Sequence, residues 1–249
     1  MTMPLLRHED RRLITGRGRF TADVDLPGQV HAAMVRSDRA HALIRSIDTD
    51  AAARADGVIA LLTAADVAAA GFRPLPTGVP LKGVAGEPHR TAPMPVLADE
   101  PHAVTGQPIA MVIAETALQA RDAAEQVVID YEELPVAATV TLALAADAVQ
   151  LHDAAPGNLA LTYEDGDRQA VDRAFATAAM TSTLRIQSQR LVGSPLELSA
   201  CVAAHDAARN VTVVHTPTQG MLGMRSSLAR SMHDRATRRR TARSALPPI

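Results

Sequence analysis

Apolar positions along the first 135 residues switch between a period of two and a helical period, which predicts short strands alternating with short helices. Residues 19–24 and 29–36 alternate as strands on either side of Asp25-Leu26-Pro27-Gly28, so the chain is expected to open with a hairpin. A third strand is predicted at 43–47, followed by an Ala-rich helical turn at 49–55. The unbroken apolar run Val58-Ile59-Ala60-Leu61-Leu62 reads as a strand buried on both faces. Thr63 then stands where a hydroxyl can cap a helix over 64–70, and Gly71 where the chain needs positive φ to leave it.

From Phe72 to Met94 the chain carries Pro74, Pro76, Pro80, Pro88 and Pro93, which remove ladder and helix donors and predict a long surface loop. Regular pattern returns with an apolar strand at 108–114. Thr116 and Gln119 form a capping box for a helix whose Ala117, Ala120, Ala124 and Val127 share a face. A strand over 127–131 ends at Pro135. Beyond a loop at 152–157, Asp167 caps a helix with Ala170, Val171, Ala174 and Phe175 on one side. Residues 180–192 alternate as a strand, and 198–204 pairs with 211–216 across a turn at 206–210. A helical pattern over 224–232 is the last regular feature. After it come five arginines, one acid and no apolar periodicity through residue 249.

Composition narrows the picture. Hydrophobic residues make up 47% of the 249, charged residues 21%, and the formal charge is −2, which excludes disorder over most of the length. Aromatics are only 2% and Trp is absent, so the core must be built from aliphatic residues and Met. No apolar run approaches the roughly 20 residues of a membrane span, and the charged N-terminus lacks the apolar stretch of a signal peptide; the expected location is the cytoplasm. A single cysteine, Cys201, rules out an internal disulfide framework and any Cys-rich zinc or iron–sulfur site. The nine histidines lack metal-ligand spacing, and Gly16-Arg17-Gly18 is too short for a dinucleotide fingerprint.

Several blocks in fixed order carry a family resemblance: Gly16-Arg17-Gly18-Arg19-Phe20-Thr21-Ala22-Asp23, Arg36-Ser37-Asp38-Arg39-Ala40-His41, Val104-Thr105-Gly106-Gln107-Pro108, and Val128-Ile129-Asp130-Tyr131-Glu132-Glu133-Leu134-Pro135. Together they resemble the α/β-hammerhead domain of the xanthine dehydrogenase/aldehyde oxidase family. Pro195-Leu196-Glu197, Cys201-Val202-Ala203 and Thr216-Pro217-Thr218-Gln219-Gly220 are similar to the opening of that family's molybdopterin-binding domain, in the variety of carbon monoxide dehydrogenase large subunits. Leu198-Ser199 stands where many relatives carry Pro and Arg.

The expected fold class is α+β: a hammerhead domain at 10–137, a linker at 138–160, an incomplete start of a molybdopterin-binding domain at 161–232, and an Arg-rich, disordered tail at 233–249. The resemblance implies an oxidoreductase large subunit that holds molybdopterin and works with FAD-binding and iron–sulfur subunits. It also implies a glycine-rich Phe-Gly segment, further cofactor loops and a late glutamate base, none of which this sequence contains. The expectation is therefore an N-terminal fragment, inactive alone, its tail arising from a change of reading frame near Met232. The alternative is a stand-alone hammerhead module that joins a separately encoded remainder.

No catalytic, cofactor-binding or metal residue is assigned. Glu197 reads as a structural carboxylate before a strand. Cys201 and His215 face one another if the turn centres near Ala208, which resembles a thiol–imidazole pair, but cysteine is among the most buried residue types and a core role is the better reading. The arginine tail lacks interleaved aromatics, so nucleic-acid binding is not expected.

Overall fold

The computed structural model shows which of the apolar runs become central strands and which lie at sheet edges. It describes residues 10–77, 81–98, 102–189, 191–232 and 242–243. Along the chain, α1 (Asp10–Ile14) precedes β1 (His31–Arg36), β2 (His41–Asp48), α2 (Asp50–Ala53), β3 (Val58–Leu62) and α3 (Ala64–Ala69). Then follow β4 (His102–Val104), β5 (Pro108–Ala114), α4 (Ala117–Ala124), β6 (Val128–Glu133) and α5 (Val140–Ala143). The last elements are α6 (Arg168–Thr177), β7 (Val202–Asp206), β8 (Val211–His215), α7 (Met221–Ser231) and β9 (Ala242–Arg243).

The chain divides into two units, one drawn from Met1–Pro76, Pro93–Val136 and Glu197–Ile249, the other from Thr77–Ala92 and Ala137–Leu196. In the first unit, β5 lies between β1 and β3, antiparallel to both. A second sheet runs β4-β2-β6, with Ile44 opposite Tyr131 and Ile47 opposite Ile129. Ile44, Ala98 and Ile109 form the buried cluster, with Ile47, Ile129 and Tyr131 packed on it. α4 lies over β1 and β5 and buries Ala120 and Ala123. Small side chains at those positions let the helix approach the sheet closely.

The capping box at Thr116 is formed: the Thr116 hydroxyl accepts from the Gln119 amide at 3.2 Å, and the Gln119 side chain accepts from the Thr116 amide at 3.0 Å. Gly71 leaves α3 at φ +76°, as expected of a helix end.

Four sequence expectations fail, each for a tertiary reason. Residues 19–24 are not a strand; Thr21–Asp23 form a 3₁₀ turn, and β1 pairs with β5 instead of closing a local hairpin. β3 is not buried on both faces, because it is an edge strand and Ile59 is 56% exposed; the doubly covered run is β5. Residues 180–189 alternate as a strand should, but no sheet partner is found for them among the described residues. Cys201, expected in the core, is exposed instead: in the β7–β8 hairpin His215 pairs with Val202, so Cys201 lies one position outside the ladder.

The 72–94 segment is irregular where described, with one 3₁₀ turn at Val84–Gly86; positions 78–80 lie outside the described residues. Of the arginine tail, 233–241 and 244–249 lie outside them too, and Ala242–Arg243 adds a short parallel strand to β8. Among the described residues no helix is long and apolar enough to cross a membrane.

Candidate functional site

In a chain that wraps back on itself, the carboxylate weighed as structural acquires a partner 176 positions earlier. Thr21 is fully buried in the 3₁₀ turn before β1. Its backbone N–H and its hydroxyl both donate to Glu197 Oε1, each at 3.3 Å. Asp23 holds the same turn from the other end by accepting from the Phe20 amide at 2.8 Å. Glu197 thus satisfies two donors that would otherwise be buried unpaired, which is a structural role.

Cys201 and His215 do not form a nucleophile pair. Burial of part of the Cys201 side chain pushes its thiol up, away from the thiolate a nucleophile needs, although the residue as a whole is exposed. Two other groups are perturbed. Hydrogen bonds from the Thr63 amide and hydroxyl hold Asp66 below the usual carboxylate value. Burial raises the Tyr131 phenol, which lies under the Arg39 guanidinium at 5.6 Å. Asp66 thereby serves the cap of α3, and Tyr131 packs on the buried cluster.

Among the described residues no group of three or more His, Cys, Asp and Glu is placed to hold a metal ion. A 460 Å³ depression is walled by β3, Thr49, Ala53 and the Thr63–Asp66 cap, and offers polar and aliphatic surface in similar measure. Buried polar atoms without a hydrogen-bond partner do occur: His89 Nδ1 in the second unit, Arg225 Nε and Ser231 Oγ in the first. Arg225 and Ser231 stand six apart on α7 and therefore on different faces. Such scattered groups do not make the convergent set of donors that a pterin with its phosphate requires. The described residues by themselves do not fit that cofactor.

The order of parts defines the class: an α/β-hammerhead followed by the beginning of a cofactor-binding region. The aldehyde oxidase and xanthine dehydrogenase α/β-hammerhead family matches residues 15–135, and the molybdopterin cofactor-binding domain family matches 151–240. The chain belongs to the xanthine dehydrogenase/aldehyde oxidase family of molybdenum hydroxylase large subunits.

Among its relatives is the carbon monoxide dehydrogenase large chain of Afipia carboxidovorans, 37% identical over 80% of this chain and 25% of that one. The nicotine 6-hydroxylase large subunit of Paenarthrobacter nicotinovorans is 32% identical over 80% and 24%. Of solved structures, quinoline 2-oxidoreductase from Pseudomonas putida 86 superposes with a TM-score of 0.80 at 30% identity, covering 94% of this chain and 29% of that one. The Cu,Mo-CO dehydrogenase in its carbon monoxide reduced state gives 0.76 at 32% identity, over 94% and 30%. The chain spans about a quarter of the length of the curated relatives it matches.

The Thr21 partner of Glu197 was not legible in the sequence. Its only trace there is that Thr21 falls inside one block of the family resemblance and Glu197 inside another.

Proposed function

We propose that this chain supplies the hammerhead and the first part of the cofactor-binding domain of a molybdenum hydroxylase large subunit, and that it is catalytically silent by itself. The observation that carries the reading is the succession of the two family regions, 15–135 and 151–240, within a chain about a quarter as long as its relatives. The Glu197–Thr21 bridge supports it, because it ties residues from both regions together inside one unit. When bound, the molybdenum cofactor supplies the redox centre. This chain's own part is to fold the frame on which the remaining chain closes.

FAD-binding and iron–sulfur subunits are the partners this reading implies, the cytoplasm is its location, and its substrate lies among aldehydes, purines, other heterocycles and carbon monoxide. The test joins the unmatched part of the Afipia carboxidovorans carbon monoxide dehydrogenase large chain in frame to this one, in a host that makes the cofactor, and assays purified protein for molybdenum. The fusion is expected to carry metal and the 249-residue chain none. Stoichiometric molybdenum in the chain alone, or a folded fusion that stays metal-free, overturns the proposal.

A second reading, an assembly module that joins a separately encoded remainder, is favoured by one observation: large apolar side chains of the second unit stand open to solvent. Recovery of a 1:1 complex of the two separate polypeptides supports it.

A further inference from the structure

Two Asp-Gly dipeptides occur in the chain, Asp56-Gly57 and Asp165-Gly166. Aspartate before glycine can react with its own backbone, because glycine has no side chain to block the approach of its amide nitrogen or to restrict φ and ψ. The structure separates the two dipeptides. Asp165 and Gly166 are exposed, just ahead of α6. The Gly166 amide donates to Asp165 Oδ1 at 2.9 Å, so the carboxyl is folded back on the nitrogen that would attack it. Gly166 sits at φ +99°, and, its chain neighbours apart, no atom lies within 4 Å of where a side chain would begin. Asp56-Gly57 is pinned instead. The Val58 amide closes a turn onto the Ala55 carbonyl at 3.2 Å, and the Gly57 carbonyl accepts from the Glu115 amide at 3.0 Å. The Gln119 side chain lies directly over Gly57, where even a Cβ would collide with it.

We propose that Asp165 is a site of spontaneous covalent modification, an aspartate that isomerises to isoaspartate, and that Asp56 is held out of this reaction by the fold. In the first step the Gly166 nitrogen bonds to Asp165 Cγ while the Cγ–OH bond of the protonated carboxyl breaks. The amide proton and that hydroxyl leave as water, and a cyclic imide remains. Water then adds to one of the two imide carbonyls. Opening at Cγ restores aspartate; opening at the main-chain carbonyl leaves the chain running through Cβ and Cγ, with the former main-chain carbonyl as a free carboxylate. Nothing is oxidised or reduced, and water is the only co-reactant. Proximity decides the rate, since reacting atoms about 3–3.5 Å apart are in a near-attack arrangement and a misplacement of about 1 Å can cost about 10²-fold.

The product carries one more carbon in the main chain at 165, and two contacts of α6 depend on the spacing there. Arg168 pairs with Glu164 at 2.9 Å across the site, and Asp167 caps the Ala170 amide at 2.9 Å two residues beyond it. The longer backbone separates the first pair and turns Asp167 off its amide, so the first turn of α6 loses its cap. Asp165 thus acts as a clock that loosens α6 as the chain ages.

The experiment ages the purified 249-residue chain in warm neutral buffer and samples it over weeks. Trypsin releases the two dipeptides in separate peptides, one following Arg54 and one ending at Arg168. Isoaspartate is located by electron-transfer fragmentation and quantified with an isoaspartyl methyltransferase and labelled S-adenosylmethionine. It is expected at 165 at least about tenfold faster than at 56 in the folded chain, and at similar rates in urea, where neither dipeptide is held. Asp165→Glu, which would have to form a larger ring, should stop conversion and leave the circular dichroism of the fresh chain unchanged. Hydrogen exchange at the Ala170 amide should speed severalfold in the aged chain, as in fresh Asp167→Ala, and stay constant in aged Asp165→Glu. Conversion at 56 as fast as at 165 in the folded chain overturns the proposal, as does an aged chain without isoaspartate at 165. Conversion at 165 that leaves exchange at Ala170 unchanged overturns its effect on α6.

Discussion

Replacing Glu197 with alanine removes the acceptor for two donors on a residue that has no solvent access. Hydrogen bonds to charged groups are worth about 1.5–3 kcal/mol each, but both of these span 3.3 Å, longer than the usual 2.9–3.0 Å. About 1 kcal/mol apiece is the sensible value, so Glu197→Ala should cost about 2 kcal/mol. Glu197→Gln keeps an acceptor oxygen but loses the charge, which roughly halves the bond strength, and should cost about 1 kcal/mol. Thr21→Val removes the hydroxyl alone, leaving the amide bond. In the double variant Thr21→Val, Glu197→Ala the costs should therefore fall short of additivity by about 1 kcal/mol.

Equilibrium urea unfolding, followed by circular dichroism and by Tyr131 fluorescence in a Tyr163→Phe background, measures all four proteins. Tyr131 packs on the buried cluster of the same unit, so its signal reports on the body that the bridge closes. Strict additivity of the two single variants, or a Glu197→Ala protein within about 0.3 kcal/mol of wild type, refutes the bridge, since pairs in contact are expected to couple by more than that.

Ile109→Ala should cost about 2–5 kcal/mol by leaving a cavity beneath Ile44, whereas Ile59→Ala, on the exposed edge strand, should cost much less; urea midpoints decide. Asn158 sits at φ +55°, donates to the Ala143 and Val149 carbonyls and accepts from the Leu151 amide, so Asn158→Ala should lose about 2–3 kcal/mol in the second unit, and Asn158→Gly, which relieves only the backbone, most of that. Asp66 has a depressed pKa in the folded chain, so its contribution is present above the ordinary carboxylate value and fades as pH falls below about 4. Asp66→Asn should therefore flatten the acid limb of the stability–pH curve, and an unchanged limb counts against the cap. At Cys201 the raised thiol pKa predicts slower alkylation by iodoacetamide near neutral pH than a free thiol shows.

Local rules settled the elements whose signals are short-range. The Thr116–Gln119 box, the Asp167 cap on the Ala170 amide at 2.9 Å, and Gly71 at positive φ depend on residues within three or four positions, and side-chain chemistry at that range is written in the sequence. The hairpin of β7 and β8 was legible for the same reason, though its register was not: a shift of one residue exchanges which side chains face each other, and only the paired strands fix it. Tertiary structure decided which apolar run became central. β3 and β5 are both aliphatic, but β5 acquired two neighbours and β3 one, and burial follows neighbours and not composition. It also decided that 19–24 turns instead of pairing, because Thr21 there meets a carboxylate far along the chain. The family was readable from ordered blocks of residues; the bridge that ties two of those blocks together required the chain to fold.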